Sequence, residues 1–111
     1  MNKVIFMGRL TSKPEIREIG EKATKIANVR LAVPRNKDIS DFINLVFWDK
    51  KAEIAEKYLD KGSRILVEGT LNIDSYEDQD KKTHYMTRVI VSNMEFCDSK
   101  KEFEQQEIPV I

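Results

Sequence analysis

One cysteine, one histidine, three prolines and four glycines are all that this 111-residue chain offers of the residue types that staple, ligate or break a fold. With Cys97 alone no internal disulfide can form, and with His84 as the sole imidazole no Cys/His zinc cluster is available. No apolar run approaches the roughly 20 residues that a bilayer-spanning helix requires, and the apolar stretch in the opening MNKVIFMGRL is too short for a secretory signal. The expectation is a soluble, cytoplasmic protein with no membrane association. Catalytic signatures are missing too: there is no Gly-x-Ser-x-Gly turn, no glycine-rich phosphate loop and no evident base beside Cys97. His84 reads as an exposed strand residue on a hairpin arm, and Cys97 as a small buried hydrophobe near the end of an apolar strand. No enzymatic activity, metal or cofactor is expected.

Net charge is also absent, 19 Lys and Arg against 19 Asp and Glu, but the charges are not evenly spread. Residues 1 to 35 carry eight basic and three acidic side chains, 36 to 94 carry nine and eleven, and 95 to 111 carry two and five, so the balance runs from +5 through −2 to −3. A neutral protein with a local row of Lys and Arg can still follow a phosphate backbone, and an acidic end can engage other proteins. A solvated surface with chance asymmetry explains the charges alone equally well.

What is present is period-2 alternation. NKVIFMGRL sets Val4, Phe6, Gly8 and Leu10 against Ile5, Met7 and Arg9, and after a Pro14 turn Ala27, Val29, Leu31 and Val33 alternate with Asn28, Arg30, Ala32 and Pro34. The short link NKDIS joins this second strand to a third, DFINLVFW, as antiparallel neighbours. The period then changes: Ala52, Ala55, Tyr58 and Leu59 fall at helical spacing, with Asp49 as candidate N-cap and Gly62 as candidate stop, for a helix of about three turns. SRILVEGTLNIDSYE puts Ile65, Val67, Gly69, Leu71 and Ile73 on one side, and THYMTRVIVSNMEFC follows the polar turn DQDKK, so SYEDQDKKTHY reads as a long hairpin tip. Three strands, a short helix and two strands suit a mainly β domain, a five-stranded Greek-key barrel of the oligonucleotide-binding (OB) type with its helix between strands 3 and 4. The domain is expected over residues 1–98, with 99–111 as a short acidic flexible tail.

The third strand is apolar on both sides. If Ile43, Leu45 and Phe47 fill the barrel, Phe42 and Trp48 stand outside, six residues apart with Asn44 between them. Exposed rings need a partner, and an unstacked nucleobase is one, since stacking depends little on which base is present. Tyr76, at the base of the long hairpin, supplies a third platform. Lys3, Arg9, Arg30, Arg35, Lys50, Lys61, Arg64 and Arg88 provide cations to steer a backbone between the rings. Each ring taken alone has packing as its commoner role: Trp48 against the following helix, Phe42 under the NKDIS turn or in a subunit interface. A Lys or Arg on an outer face is most often merely solvated. Rings, cations and element order together favour binding.

At this point the segments MNKVIFMGRLTSKPEIR, ANVRLAV, DFINLVFWDKKAEIAEKYLDKGS, VEGTL and SYEDQDKKTHYMTRVIV resemble the bacterial and phage single-stranded DNA-binding protein family, in order and spacing, from Met1 to about Phe96. The run from Trp48 through Ala52, Glu53, Tyr58, Lys61 and Gly62 to Glu68 and Gly69 is the most specific part. The resemblance implies an OB fold, usually assembled as a homotetramer, that binds single-stranded DNA with little sequence preference in DNA replication, recombination and repair. It places stacking roles on Phe42, Trp48 and Tyr76 and backbone contacts on Lys3, Lys50 and Lys61. Where many relatives carry a further aromatic after the second strand, this chain has Asn36 and Lys37. The family's tail usually ends in acidic residues and Ile-Pro-Phe, which replication and repair proteins bind; here Glu107, Ile108 and Pro109 echo that ending and the final Phe is missing. Two other readings stay open on the residues themselves: a primosome-type or RNA-binding adaptor on the same barrel, and a structural assembly subunit using Ile5, Met7 and Phe42 as interface.

Overall fold

The computed structural model describes residues 1–97. Its elements are β1 (Val4–Leu10), β2 (Glu15–Ile19), β3 (Thr24–Pro34), β4 (Ser40–Trp48), α1 (Lys50–Tyr58), β5 (Arg64–Glu77) and β6 (Thr83–Phe96). Neighbours run β1-β5-β6-β4-β3-β2, and β1 pairs a second time with β3 through Arg9 opposite Ala32 and Leu10 opposite Leu31. That second pairing closes β1, β5, β6, β4 and β3 into a ring of five strands. The five-stranded barrel with one helix before its fourth strand is thus as expected, and no helix among the described residues is long and apolar enough to cross a membrane.

The inward residues of the five ring strands meet in one core: Leu10, Ala27, Val29, Leu31, Leu45, Phe47, Ile65, Val67, Val89 and Val91, with Ala52 and Ala55 of α1 and Leu59 just after it capping the core. Phe47, wholly buried, faces Ala27 across the β3–β4 ladder, so a large ring is matched by the smallest available side chain.

Closing so few strands forces their backbones close together, and glycine marks both places. A Cβ on Gly8 would lie 2.2 Å from the Ala32 carbonyl oxygen, and one on Gly69 would lie 2.2 Å from that of Ile90, beside a register shift at Glu68/Gly69. Neither obstacle is a movable side chain. Gly69→Ala is therefore expected to lower stability by about 1–3 kcal/mol through overpacking, read as a lower urea midpoint with an unchanged slope; an unshifted midpoint would mean the strands are not this close.

Several expectations are corrected. An additional strand, β2, pairs with the first half of β3 from Glu15 opposite Asn28 to Ile19 opposite Thr24. Apart from half-buried Ile16 it is exposed throughout, which is why it shows no core alternation. The helix has nine residues; Asp49 stands at its N-cap position with φ of 53° and makes no side-chain cap, and the chain leaves the helix at extended Leu59, before Gly62. Gly62 serves instead in the turn to β5, where its N–H donates to the Leu10 carbonyl. Tyr58 is exposed, its ring edge-on to Phe96 at 6.0 Å. Ile73 is also exposed, because β5 and β6 stay paired as far as Glu77 opposite Thr83, forming an arm that outruns the core. Cys97 is half-buried, its Sγ 3.9 Å from the Met7 sulfur.

Candidate nucleic-acid interface

The β3–β4 ladder fixes the outer face. Ile26 lies opposite Trp48, Asn28 opposite Val46, Arg30 opposite Asn44 and Ala32 opposite Phe42. Paired residues share a face, so these four rows alternate with the buried rows of Ala27, Val29 and Leu31. Trp48 and Phe42 are 40% and 53% exposed, against complete burial of Phe47 beside them. Six residues of extended chain place the two rings about 20 Å apart along β4.

Between the rings runs a groove of about 370 Å³ whose lining includes Lys13, Asn28, Arg30, Asn44, Met86 and Arg88. Val46 is the exception on this face: it lies in register between Asn28 and Ile90 and is buried at 5%. Beyond Trp48 a wider open cleft of about 990 Å³ is lined by Lys22, Lys25, Lys50 and Lys51 together with Glu18, Asp49 and Glu53. Trp48 thus stands at a cleft wall rather than sealed against α1. At the other end the Arg30 guanidinium carbon sits 4.5 Å from the centre of the Phe42 ring, covering one ring face with a cation.

The parallel β4–β6 register, Leu45 with Val89 and Val46 with Ile90, carries the same outer face onto β6. Followed outward, Arg88, Met86 and His84 lie on it, and Tyr76 is directly opposite His84. Along the strand axis the order is Trp48, Phe42, then Tyr76, which sits past the Phe42 end on the β5–β6 arm and is 54% exposed. All three expected rings therefore share one surface, though Tyr76 belongs to an arm and the other two to the barrel wall.

The cations divide. Arg30 and Arg88 enter the groove and Lys50 the cleft. Arg9 and Arg64 line a separate hollow with Met7, Ala32 and Ser40, where Arg9 Nη1 donates to the Gly62 carbonyl at 3.0 Å. Exposed Lys61 lies in the turn before β5, and Lys3 pairs with Glu68 at 3.3 Å. Other carboxylates also sit on the basic groups: Asp41 accepts two hydrogen bonds from Arg35, Asp74 one from Arg88 at 2.8 Å, and Glu56 one from Lys25 at 2.6 Å. Hydrogen bonding from Arg35 holds the Asp41 carboxyl below the usual carboxylate range, and that to Glu56 raises Lys25. Such exposed pairs contribute little to stability and can be exchanged for phosphate.

Sequence reasoning missed Lys13, Asn28 and Met86 in the groove and Lys22, Lys25 and Lys51 in the cleft. For Lys22 and Lys25 the missing signal was the β2–β3 hairpin, where Gly20, at φ of 75°, and Ala23, at 50°, turn the chain and bring both lysines to the cleft beside Trp48. Glu107, Ile108 and Pro109 lie outside the described residues.

Residues 1–97 match the family model described as "Single-strand binding protein family". The chain belongs to the single-strand binding protein family. A "Single-stranded DNA-binding protein" of Clostridium perfringens is 41% identical over 101 residues, covering 89% of this chain and 67% of that protein. "Single-stranded DNA-binding protein 1" of Clostridium acetobutylicum is 33% identical over 108 residues, covering 92% and 98%. "Single-stranded DNA-binding protein 2" of Streptococcus agalactiae is 38% identical over 111 residues, covering 96% and 84%. Membership in the single-strand binding family agrees with the barrel and with a non-enzymatic role, since it is a family of binding proteins.

Proposed function

We propose that this chain binds single-stranded DNA with little sequence preference, laying the strand along the outer face of β4 from the Trp48 cleft, across the polar groove, to Phe42 and on to Tyr76. The observation that carries this reading is the pair of exposed rings, Trp48 and Phe42, on one outer face with Arg30, Asn44 and Arg88 between them. Rings supply base stacking that every base can satisfy, and the cations supply backbone contacts. The named relatives, single-stranded DNA-binding proteins, support it. Lys50 in the cleft adds a backbone contact on this path, whereas Lys3, Arg9, Arg35, Lys61 and Arg64 lie outside the groove and cleft and would serve a strand that wraps beyond them. In this reading residues 1–98 form the binding domain and assemble with further copies, a homotetramer being the arrangement the resemblance implies. The protein protects single strands in the cytoplasm during replication, recombination and repair. The tail over 99–111 offers Glu107, Ile108 and Pro109 to replication or repair proteins.

The test is a titration of oligo(dT), in several lengths, followed by Trp48 fluorescence. Quenching is expected on binding, and about four or five neutralised phosphates give a log–log salt slope near −3, so that affinity falls about 50- to 100-fold between 50 and 200 mM salt. An unquenched indole at saturation removes Trp48 from the path. A salt-independent affinity, or equal competition by duplex DNA, would overturn the reading as a whole.

A further inference from the structure

The tip of the β5–β6 arm is built around a residue that none of the roles above uses. Tyr76 and His84 are directly opposed in the ladder, and their rings lie stacked, centroids 5.3 Å apart and planes 23° from parallel. His84 is itself held: its Nε2 is 2.6 Å from Asp78 Oδ2. Asp78 is the organiser of the turn, because its Oδ1 accepts the N–H groups of Asp80 and Lys82, its own N–H donates to the Lys82 carbonyl, and its carbonyl accepts from Lys81. Both oxygens of one carboxylate are thus committed, one to the backbone of the tip and the other to the imidazole. Hydrogen bonds to His84 and from the backbone also hold the Asp78 carboxyl below its ordinary range.

We infer that His84 is a positioning residue for DNA binding: oriented by Asp78, it stacks behind Tyr76, fixes that ring and leaves its opposite face to a nucleobase. This rests on the single-strand reading above. The physical reason is preorganisation. Tyr76 stands on a two-stranded arm beyond the core, where core packing cannot hold its rotamer, and a mobile ring loses freedom when a base lands on it. A ring already stacked on a tethered imidazole has lost that freedom on folding. Ordering one side chain beforehand is worth about 3- to 10-fold in affinity. The chain Asp80 and Lys82 N–H, Asp78, His84, Tyr76 therefore runs from the turn backbone to the stacking surface.

The experiment measures affinity for labelled oligo(dT) by anisotropy with full-length wild type, Tyr76→Ala, His84→Ala, His84→Phe and the double variant Tyr76→Ala/His84→Ala, each checked for native circular dichroism. His84→Ala is expected to bind about 3- to 10-fold more weakly and His84→Phe, which keeps a ring behind Tyr76, within about 2-fold of wild type. In the Tyr76→Ala background the His84→Ala loss should vanish. Wild-type affinity in His84→Ala, an equal loss in the Tyr76→Ala background, or no recovery in His84→Phe overturns the positioning role while leaving the single-strand reading intact. Failure of the wild type itself to bind oligo(dT) overturns both.

Discussion

Replacing Trp48 and Phe42 together by alanine is expected to weaken oligo(dT) binding by between about 30- and 10⁴-fold and to leave the protein folded. Each base–aromatic stack is worth about 1–3 kcal/mol on truncation, and the two rings lie about 20 Å apart on β4, far enough for their losses to add. Folding is spared because both side chains are only about half covered, Trp48 at 40% and Phe42 at 53% exposed, and neither belongs to the buried cluster; the stability cost should stay within about 1–3 kcal/mol. Anisotropy of a labelled strand gives the affinity, since the indole reporter is gone, and urea unfolding gives the stability. Phe42 carries a further expectation within this result: with Arg30 over one ring face, its removal also releases a guanidinium from its station, so the Phe42 share of the loss should be the more salt-sensitive of the two. A folded double variant that kept wild-type affinity would falsify the stacking surface.

Phe47→Ala should do the reverse. This ring is one residue from Trp48 and is wholly buried, so its loss removes the transfer energy of a phenyl group and opens a cavity between Ala27 and the rest of the core. Phe→Ala changes in cores cost about 3–5 kcal/mol, a large part of the about 5–15 kcal/mol that holds a typical domain together. A fall in melting temperature of roughly 15 °C or more follows for a domain of this size. Phe47→Leu, which retains most of the volume, should lose far less, and both are measured by thermal and urea unfolding. Should Phe47→Ala melt like the wild type, the inner and outer assignments of β4 are exchanged, because a shift of one residue moves every side chain to the other face.

The neighbouring pair also shows how much was legible beforehand. Alternation in DFINLVFW separated Phe47 from Trp48 and Phe42 without any coordinates, because a strand that lines a barrel has only two sides and the inner one must be apolar. The same logic located the strands that became β1, β3, β5 and β6. It failed at β2, whose EIREI buries no side chain fully and so carries no burial pattern. With β2 went the hairpin that brings Lys22 and Lys25 to Trp48. Ile73 kept the alternation of β5 although the core had ended, which periodicity cannot detect. Tyr58 had helical spacing and still faces outward, since Ala52 and Ala55 of α1 with the following Leu59 suffice to cap the barrel. The parallel contact of β4 with β6, which carries the outer face onto the arm, joins residues more than forty positions apart and leaves no local trace. The opposition of Tyr76 and His84 depended on the register of the arm's turn, a backbone property set by Asp78 and the positive φ of Lys81.

Carboxylates are already seated on Lys3, Arg35 and Arg88. A polymer arriving on this surface therefore changes places with anions that cannot diffuse away. Tethered at fixed sites, they stand ready to refill each contact as a stretch of the polymer lifts, so in the proposed complex a contact opens by exchange of one anion for another and leaves no bare cation behind.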